Sequence, residues 1–191
     1  MIRKAVPTDI DAVYKLYRSF SLDPKKLIKT KYLYRVQTTG FFVDTENRQS
    51  LLNRLTHSDL FNVYEIKNKI VGFINITHEI YFPENADNII WFNLREKNYY
   101  FHSPETTVLH LIVSDRLRQN RGIASKLLEF SLKEITSQYQ HLFSIITLNP
   151  TNIPSLIFHL KHGFRRSCVT QPKKLFGIKN YQSLLLYKEL K

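Results

Sequence analysis

Gln119-Asn120-Arg121-Gly122-Ile123-Ala124 stands between an apolar run, Val108 to Val113, and an amphipathic stretch over residues 121–138. That order of strand, polar loop and helix decides how the chain is read. The first turn of a helix leaves backbone N–H groups without an internal partner and carries the positive end of the helix dipole. It is a ready seat for phosphate. Gly122 removes the Cβ that would hold a ligand away from the backbone, and Ala124 is the next smallest choice. Arg116, Arg118, Arg121 and Lys126 add positive charge around the turn. Alone, the stretch also fits an ordinary helix start with a glycine; its surroundings give it weight.

Downstream, Ile123, Leu127, Ser131 and Ile135 fall on one helical stripe. Ser144 to Leu148 reads as a strand. Asn152 caps a helix that runs through Lys161, Gly163 stops it, and Phe164 begins another strand. A last strand is expected from Gln182 to Leu186. Strand, helix, strand, helix, strand implies α/β architecture. Upstream, Ile2 to Ala5 reads as a short strand. Pro7-Thr8-Asp9 opens a helix, with Thr8 and Asp11 in capping-box spacing. Asp23-Pro24 predicts a second helix carrying Lys25, Lys26, Lys29 and Lys31, and a third is expected from about Glu46 to Leu55. Phe61 to Ile66 and Ile70 to Ile80, joined by Lys67-Asn68-Lys69, read as an antiparallel hairpin. Residues 81–106 stand out as an insertion, expected to form a flap over a substrate. No repeat or Gly/Ser-rich linker divides the chain, so residues 1–191 are expected to form one domain.

The composition narrows the class. With 191 residues, 43% hydrophobic, the chain can bury a sizeable core. One cysteine, Cys168, cannot make an internal disulfide and points to a reducing compartment; a buried structural thiol is its expected state. The start, Met1 to Pro7, lacks an apolar signal core, and no apolar run is long enough to span a membrane. A cytoplasmic protein without membrane association, monomer or homodimer, is expected. The net charge is +12, from 28 basic and 16 acidic residues. Such a field attracts polyanions or phosphorylated ligands, and it keeps nucleic acid among the possible partners.

Gln119-x-x-Gly122-x-Ala124, followed at the expected distance by Asn152-x-x-Ser155 and Lys161-His162-Gly163-Phe164, resembles the signature segments of the GNAT N-acetyltransferases. Ile2-Arg3-Lys4-Ala5 and Lys69-Ile70-Val71-Gly72-Phe73 are similar to the family's early elements. The resemblance implies an α/β GNAT-type acyl-CoA N-acyltransferase fold, with a central mixed, mostly antiparallel sheet flanked by helices. It implies acetyl-CoA as cosubstrate, with no metal, and a primary amine as acceptor. Arg118, Gln119, Asn120, Arg121, Gly122, Ile123, Ala124 and Ser125 would hold the pyrophosphate. Ile112, Val113 and Ser114 would line the pantetheine arm beside a β-bulge, and Asn152 and Ser155 would complete the cofactor site. Two departures stand out. The distance from Val113 to Gly122 is one residue longer than usual, and His159 falls where many members carry a tyrosine.

Amine acylation needs a neutral amine, stabilisation of the oxyanion and a proton for the departing thiolate. His159 is the candidate acid, since a histidine keeps a usable protonated fraction near neutral pH; Tyr181 is a substitute donor. The family resemblance puts the oxyanion contact at the backbone N–H of Val113 or a neighbour. Glu79, alternating with Ile74 and Ile76 on its strand, and His110, within an apolar strand, are the candidate bases. The seven histidines show no zinc-protease spacing, and no Gly-x-Ser-x-Gly elbow is present. Two other readings remain open: a tRNA- or ribosome-directed acetyltransferase, and a non-catalytic acyl-CoA-binding regulatory module.

Overall fold

A computed structural model describes residues 1–22, 37, 39–43, 46–78, 88–118, 121–175 and 177–190. The helix expected at Asp23-Pro24, with its lysine run, and the candidate base Glu79 lie outside the described residues.

One sheet organises the described chain. Its strands are β1 (Ile2–Lys4), β2 (Leu60–Ile66), β3 (Lys69–Thr77), β4 (Ile89–Trp91), β5 (Thr106–Ser114), β6 (His141–Asn149), β7 (Arg165–Thr170), β8 (Lys173–Leu175) and β9 (Ile178–Glu189). Their order is β1-β2-β3-β5-β6-β9-β7-β4, with β8 paired to β9 off this path. Every pairing is antiparallel except β5 with β6. A parallel pair needs a crossover, and the helix α4 (Ile123–Ile135) supplies it.

Helices cover both faces. α4 and α5 (Ile153–Lys161) lie on one, where Ile123, Leu127 and Leu128 pack on Ile74, Ile76, Leu109 and Ile146. On the other, α1 (Ile10–Phe20) and α2 (Arg48–His57) bury Val13, Tyr17, Leu51 and Leu55 against Phe61, Phe73, Leu111 and Val113. The stripe expected on α4 is buried as read. Gly72 explains how closely α4 approaches. A Cβ there would come within 2.8 Å of the Ile123 side chain and of the Val113 carbonyl.

Two local readings change. The first helix is opened by Asp9 rather than by Thr8 and Asp11. Asp9 accepts from the Val6 N–H (2.9 Å) and is held by Arg3, while Asp11 pairs with Arg48 on α2. Both oxygens of Asp9 are thereby occupied, and Arg3 holds its carboxyl below the usual range. The second concerns residues 81–106, of which 81–87 lie outside the described residues. Residues 88–106 form no flap over the site; they make β4, at the sheet's far edge, and α3 (Leu94–His102). Tyr100 of α3 packs with Val108, Phe143, Cys168 and Leu185, so this segment covers the second half of the sheet. The sequence pattern missed it because Leu94–His102 carries only a weak apolar stripe, its buried residues being Glu96 and Tyr100.

Candidate active site

The site begins where the parallel pair fails. β5 and β6 are bonded only from Thr106↔His141 to Leu109↔Ser144; beyond that β5 follows β3 and β6 follows β9. The break coincides with an extra residue. Asn75 pairs with Leu111 and Ile76 with Leu109, so His110 is bulged out of the ladder. The bulge reverses the side-chain alternation. Leu109 faces α4, whereas Leu111 and Val113 face α1 and α2.

The open part of β5 has backbone to offer. The Asp115 N–H donates to the Val71 carbonyl (2.8 Å). Bonded and non-bonded pairs alternate in an antiparallel ladder, so Val113 and Leu111 turn their polar groups toward β3. Ile112 and Ser114 turn theirs into the gap that β6 has left. Of the residues expected to line an extended arm, Ile112 and Ser114 thus face it with backbone, and Val113 lies buried against α1 and α2. Of the N–H groups expected for the oxyanion, at Val113 or a neighbour, that of Val113 turns toward β3 and that of Ile112 into the gap.

The strand ends on a short turn, Arg116–Arg118, bound by Asp115: its carboxylate accepts from the Leu117 N–H (3.1 Å), and its carbonyl accepts from the Arg118 N–H (2.8 Å). Arg116 stacks over Phe20 of α1, 4.6 Å from the ring centre. Gln119 and Asn120 lie outside the described residues. Gly122 then caps α4 at φ +72°, a left-handed conformation that favours glycine. A Cβ there would meet nothing within 4 Å. The glycine thus serves the backbone turn and leaves open space before the helix. The first helical bond is Lys126 N–H to Gly122 C=O, so the N–H groups of Ile123, Ala124 and Ser125 lack intrahelical partners. Arg121 is exposed, and Ala124 and Ser125 are half-buried beside it. Residues and space both fit a pyrophosphate.

The gap opens into a cavity of about 770 Å³ that reaches from Ile112 and Ser144 to α2 and to the β8–β9 hairpin. Its walls hold both histidines named from the sequence. His110 is half-buried, and burial, aided by the Arg54 guanidinium, pushes its pKa down to about 3. His159 is 2% exposed. Its Nδ1 lies 2.7 Å from the Ser155 carbonyl and its Nε2 3.0 Å from Ser144 Oγ, which is 3.1 Å from the Leu109 carbonyl. Burial pushes His159 down to about 4. It is therefore neutral at pH 7, without the protonated fraction expected of a candidate acid; it lines the cavity beside Ser144, whose hydroxyl lies at its Nε2. Tyr181 also lines the cavity, its hydroxyl 3.5 Å from Thr147 Oγ1.

Asn152 and Ser155, expected at the cofactor, are engaged within the chain. Asn152 caps α5 by accepting from the Ser155 N–H (3.2 Å) and donates to the Phe41 carbonyl (2.7 Å). Several wall residues escaped the sequence reading. α2 turns Ser50, Asn53, Arg54 and His57 toward the cavity and Leu51 and Leu55 toward the core. Arg54 pairs with Glu46, also on the wall. The spacing i, i+3, i+4, i+7 was the available signal. On the hairpin, Lys173 faces the cavity, and burial lowers its pKa. Among the described residues no cluster of His, Cys, Asp or Glu could hold a metal ion, and no helix is long and apolar enough to cross a membrane.

A parallel pair that splays at a bulge, beside a glycine-capped helix start, defines an acyl-CoA acyltransferase cleft. The chain belongs to the acetyltransferase (GNAT) family, whose model matches residues 14–164, and it is an acetyltransferase by that membership. Solved structures share the fold. A Streptococcus mutans UA159 protein, smu.2055, superposes with TM-score 0.71 at 16% identity, covering 100% of this chain and 99% of that one. Ard1 from Thermoplasma volcanium gives 0.67 at 15% identity, covering 100% and 97%. The ribosomal-protein-S18-alanine N-acetyltransferase from Escherichia coli gives 0.66 at 11% identity, covering 100% and 94%. No curated protein matches the sequence.

Proposed function

We propose that this acetyltransferase moves the acetyl group of acetyl-CoA to a primary amine by direct attack of the amine on the thioester. The observation that carries the reading is the break between β5 and β6 at the His110 bulge, in line with the Gly122 helix start. The pyrophosphate rests on the amides of Ile123, Ala124 and Ser125, with Arg118, Arg121, Gln119 and Asn120 around it. The pantetheine arm pairs with Ile112 and Ser114 and carries the thioester to the bulge. There the Ile112 N–H receives the developing oxyanion. His110 or Glu79 takes the proton of the amine. That proton passes through Ser144 Oγ and His159 Nε2 to the thiolate, so that neutral His159 accepts it before donating it.

Acetyl-CoA should raise the melting temperature of the protein, and an amine panel should then release CoA thiol. His159→Ala should lower turnover about 100-fold, within the usual range for acid–base groups, while acetyl-CoA affinity stays within about threefold. Unchanged turnover removes His159 from the mechanism. A second reading has the amine borne on tRNA or the ribosome. The net charge of +12 favours it, and it requires RNA binding that weakens steeply with salt. Tight acetyl-CoA binding without CoA release across both acceptor classes would support a regulatory module instead.

A further inference from the structure

The Ser144–His159 pair has the parts of an activated nucleophile. The Ser155 carbonyl can only accept, so the contact of 2.7 Å fixes the proton of neutral His159 on Nδ1. Nε2 is left as an acceptor, 3.0 Å from Ser144 Oγ. A hydroxyl, a base within reach and a group that orients the base are the elements of nucleophilic acyl transfer. Both side chains line the cavity. Ser144 is also the last residue of β6 paired with β5, at the closed end of the gap. If acetyl-CoA lies in that gap, as the proposed function has it, Ser144 is the side-chain nucleophile at the fork of the strands. Backbone N–H groups beyond the bulge are there to meet an oxyanion.

We infer that, with no amine acceptor in the cavity, Ser144 takes the acetyl group, so that the protein hydrolyses acetyl-CoA through an acetyl-Ser144 intermediate. In the first half, Oγ bonds to the thioester carbon and the C–S bond breaks with its electron pair on sulfur. The hydroxyl proton passes to His159 Nε2 and from there to the thiolate, releasing CoA. In the second half, water loses a proton to Nε2 and attacks the ester. Acetate leaves, and Oγ recovers its proton from Nε2. The Leu109 carbonyl, 3.1 Å away, competes for the hydroxyl hydrogen. Together with the low basicity of buried His159, it makes this a slow reaction beside amine transfer.

The test needs only the purified chain, acetyl-CoA and water. Thiol release is followed colorimetrically, and the protein is examined by intact and peptide mass spectrometry. Expected are steady CoA release and a mass gain of about 42 Da, one acetyl for one hydrogen, on the peptide holding Ser144. Ser144→Ala and His159→Gln should each lose at least tenfold in release, with the label absent from Ser144→Ala. Ser144→Cys, which keeps the size of the side chain, should still be acetylated at residue 144. A thermal shift with acetyl-CoA separates the two ideas. Binding without label or release overturns the Ser144 intermediate and leaves the proposed function standing; absence of binding overturns both. Wild-type release from Ser144→Ala also sinks the inference.

Discussion

The two arms of the cleft are made of different material. From His110 to the start of α4, the β5 arm presents backbone: the unpaired edge at Ile112 and Ser114 and the amides after Gly122. The β6 arm, with α5 and the β8–β9 hairpin behind it, presents side chains: Ser144, His159, Tyr181 and Lys173. Backbone groups are the same whatever the residue. They suit a ligand that never changes, and their placement needs only a bulge and two glycines. In the proposed function the side chains carry the proton chemistry and the fit to an acceptor. On this view, changes to the first arm act on acetyl-CoA binding, and changes to the second act on turnover, acceptor and pH response.

Gly122→Glu should have the largest effect. It places a non-glycine residue at φ +72°, at about 1–2 kcal/mol, and puts a carboxylate where a phosphate must sit. We expect acetyl-CoA to bind about 1,000-fold more weakly by calorimetry, or about 4 kcal/mol. Binding within threefold of wild type would break the comparison at its first arm.

On the second arm the readout is pH. Burial lowers the folded pKa of His159 to about 4 from its ordinary 6.5. Between those values the unfolded chain binds a proton that the folded chain refuses. The stability contribution is therefore whole above pH 6.5 and is lost as the pH falls toward 4. At about 1.4 kcal/mol per pH unit this is roughly 3 kcal/mol. Half-buried His110, its pKa also lowered, acts in the same direction at lower pH. Urea unfolding of His159→Gln at pH 7 and pH 4.5 should show a shallower acid loss than wild type. Equal losses would mean that the imidazole stays hydrated.

The same division explains what the sequence made legible. The backbone arm announces itself because only certain residues tolerate its geometry. Gly122 sits in a left-handed cap, and Gly72 lets α4 touch β3. Strand, glycine and helical stripe were therefore readable in order. The bulge was readable only as a family expectation, since nothing in Leu109-His110-Leu111 marks His110 as the extra residue. The side-chain arm is assembled from distant segments. Ser144 meets His159 fifteen residues on, and Asn152 meets Phe41 across 111. No local pattern encodes such meetings. α3 was missed for a related reason: it buries Glu96, which binds Arg165 of β7 at 2.9 Å, and so disguises its inward face.

Asn152 gives the smallest effect and the sharpest division. The family resemblance puts it at the cofactor, yet both ends of its amide are spent inside the chain, on the Ser155 N–H and on the Phe41 carbonyl. Losing an N-cap costs about 0.5–2 kcal/mol, and a buried carbonyl left without its donor about 1–3. The two losses share one side chain, so they do not add in full, and Asn152→Ala should destabilise by roughly 2 kcal/mol. Asn152→Asp keeps the cap but sets a carboxylate oxygen against the Phe41 carbonyl. It should lose stability as well, through the tie to residues 41–43 on the cavity wall. If Asn152 only joins the walls, both variants unfold at lower urea while acetyl-CoA affinity stays within about threefold of wild type. A tenfold loss of affinity at unchanged stability would instead move Asn152 to the cofactor arm, and one side chain would then belong to the wall that backbone alone was thought to build.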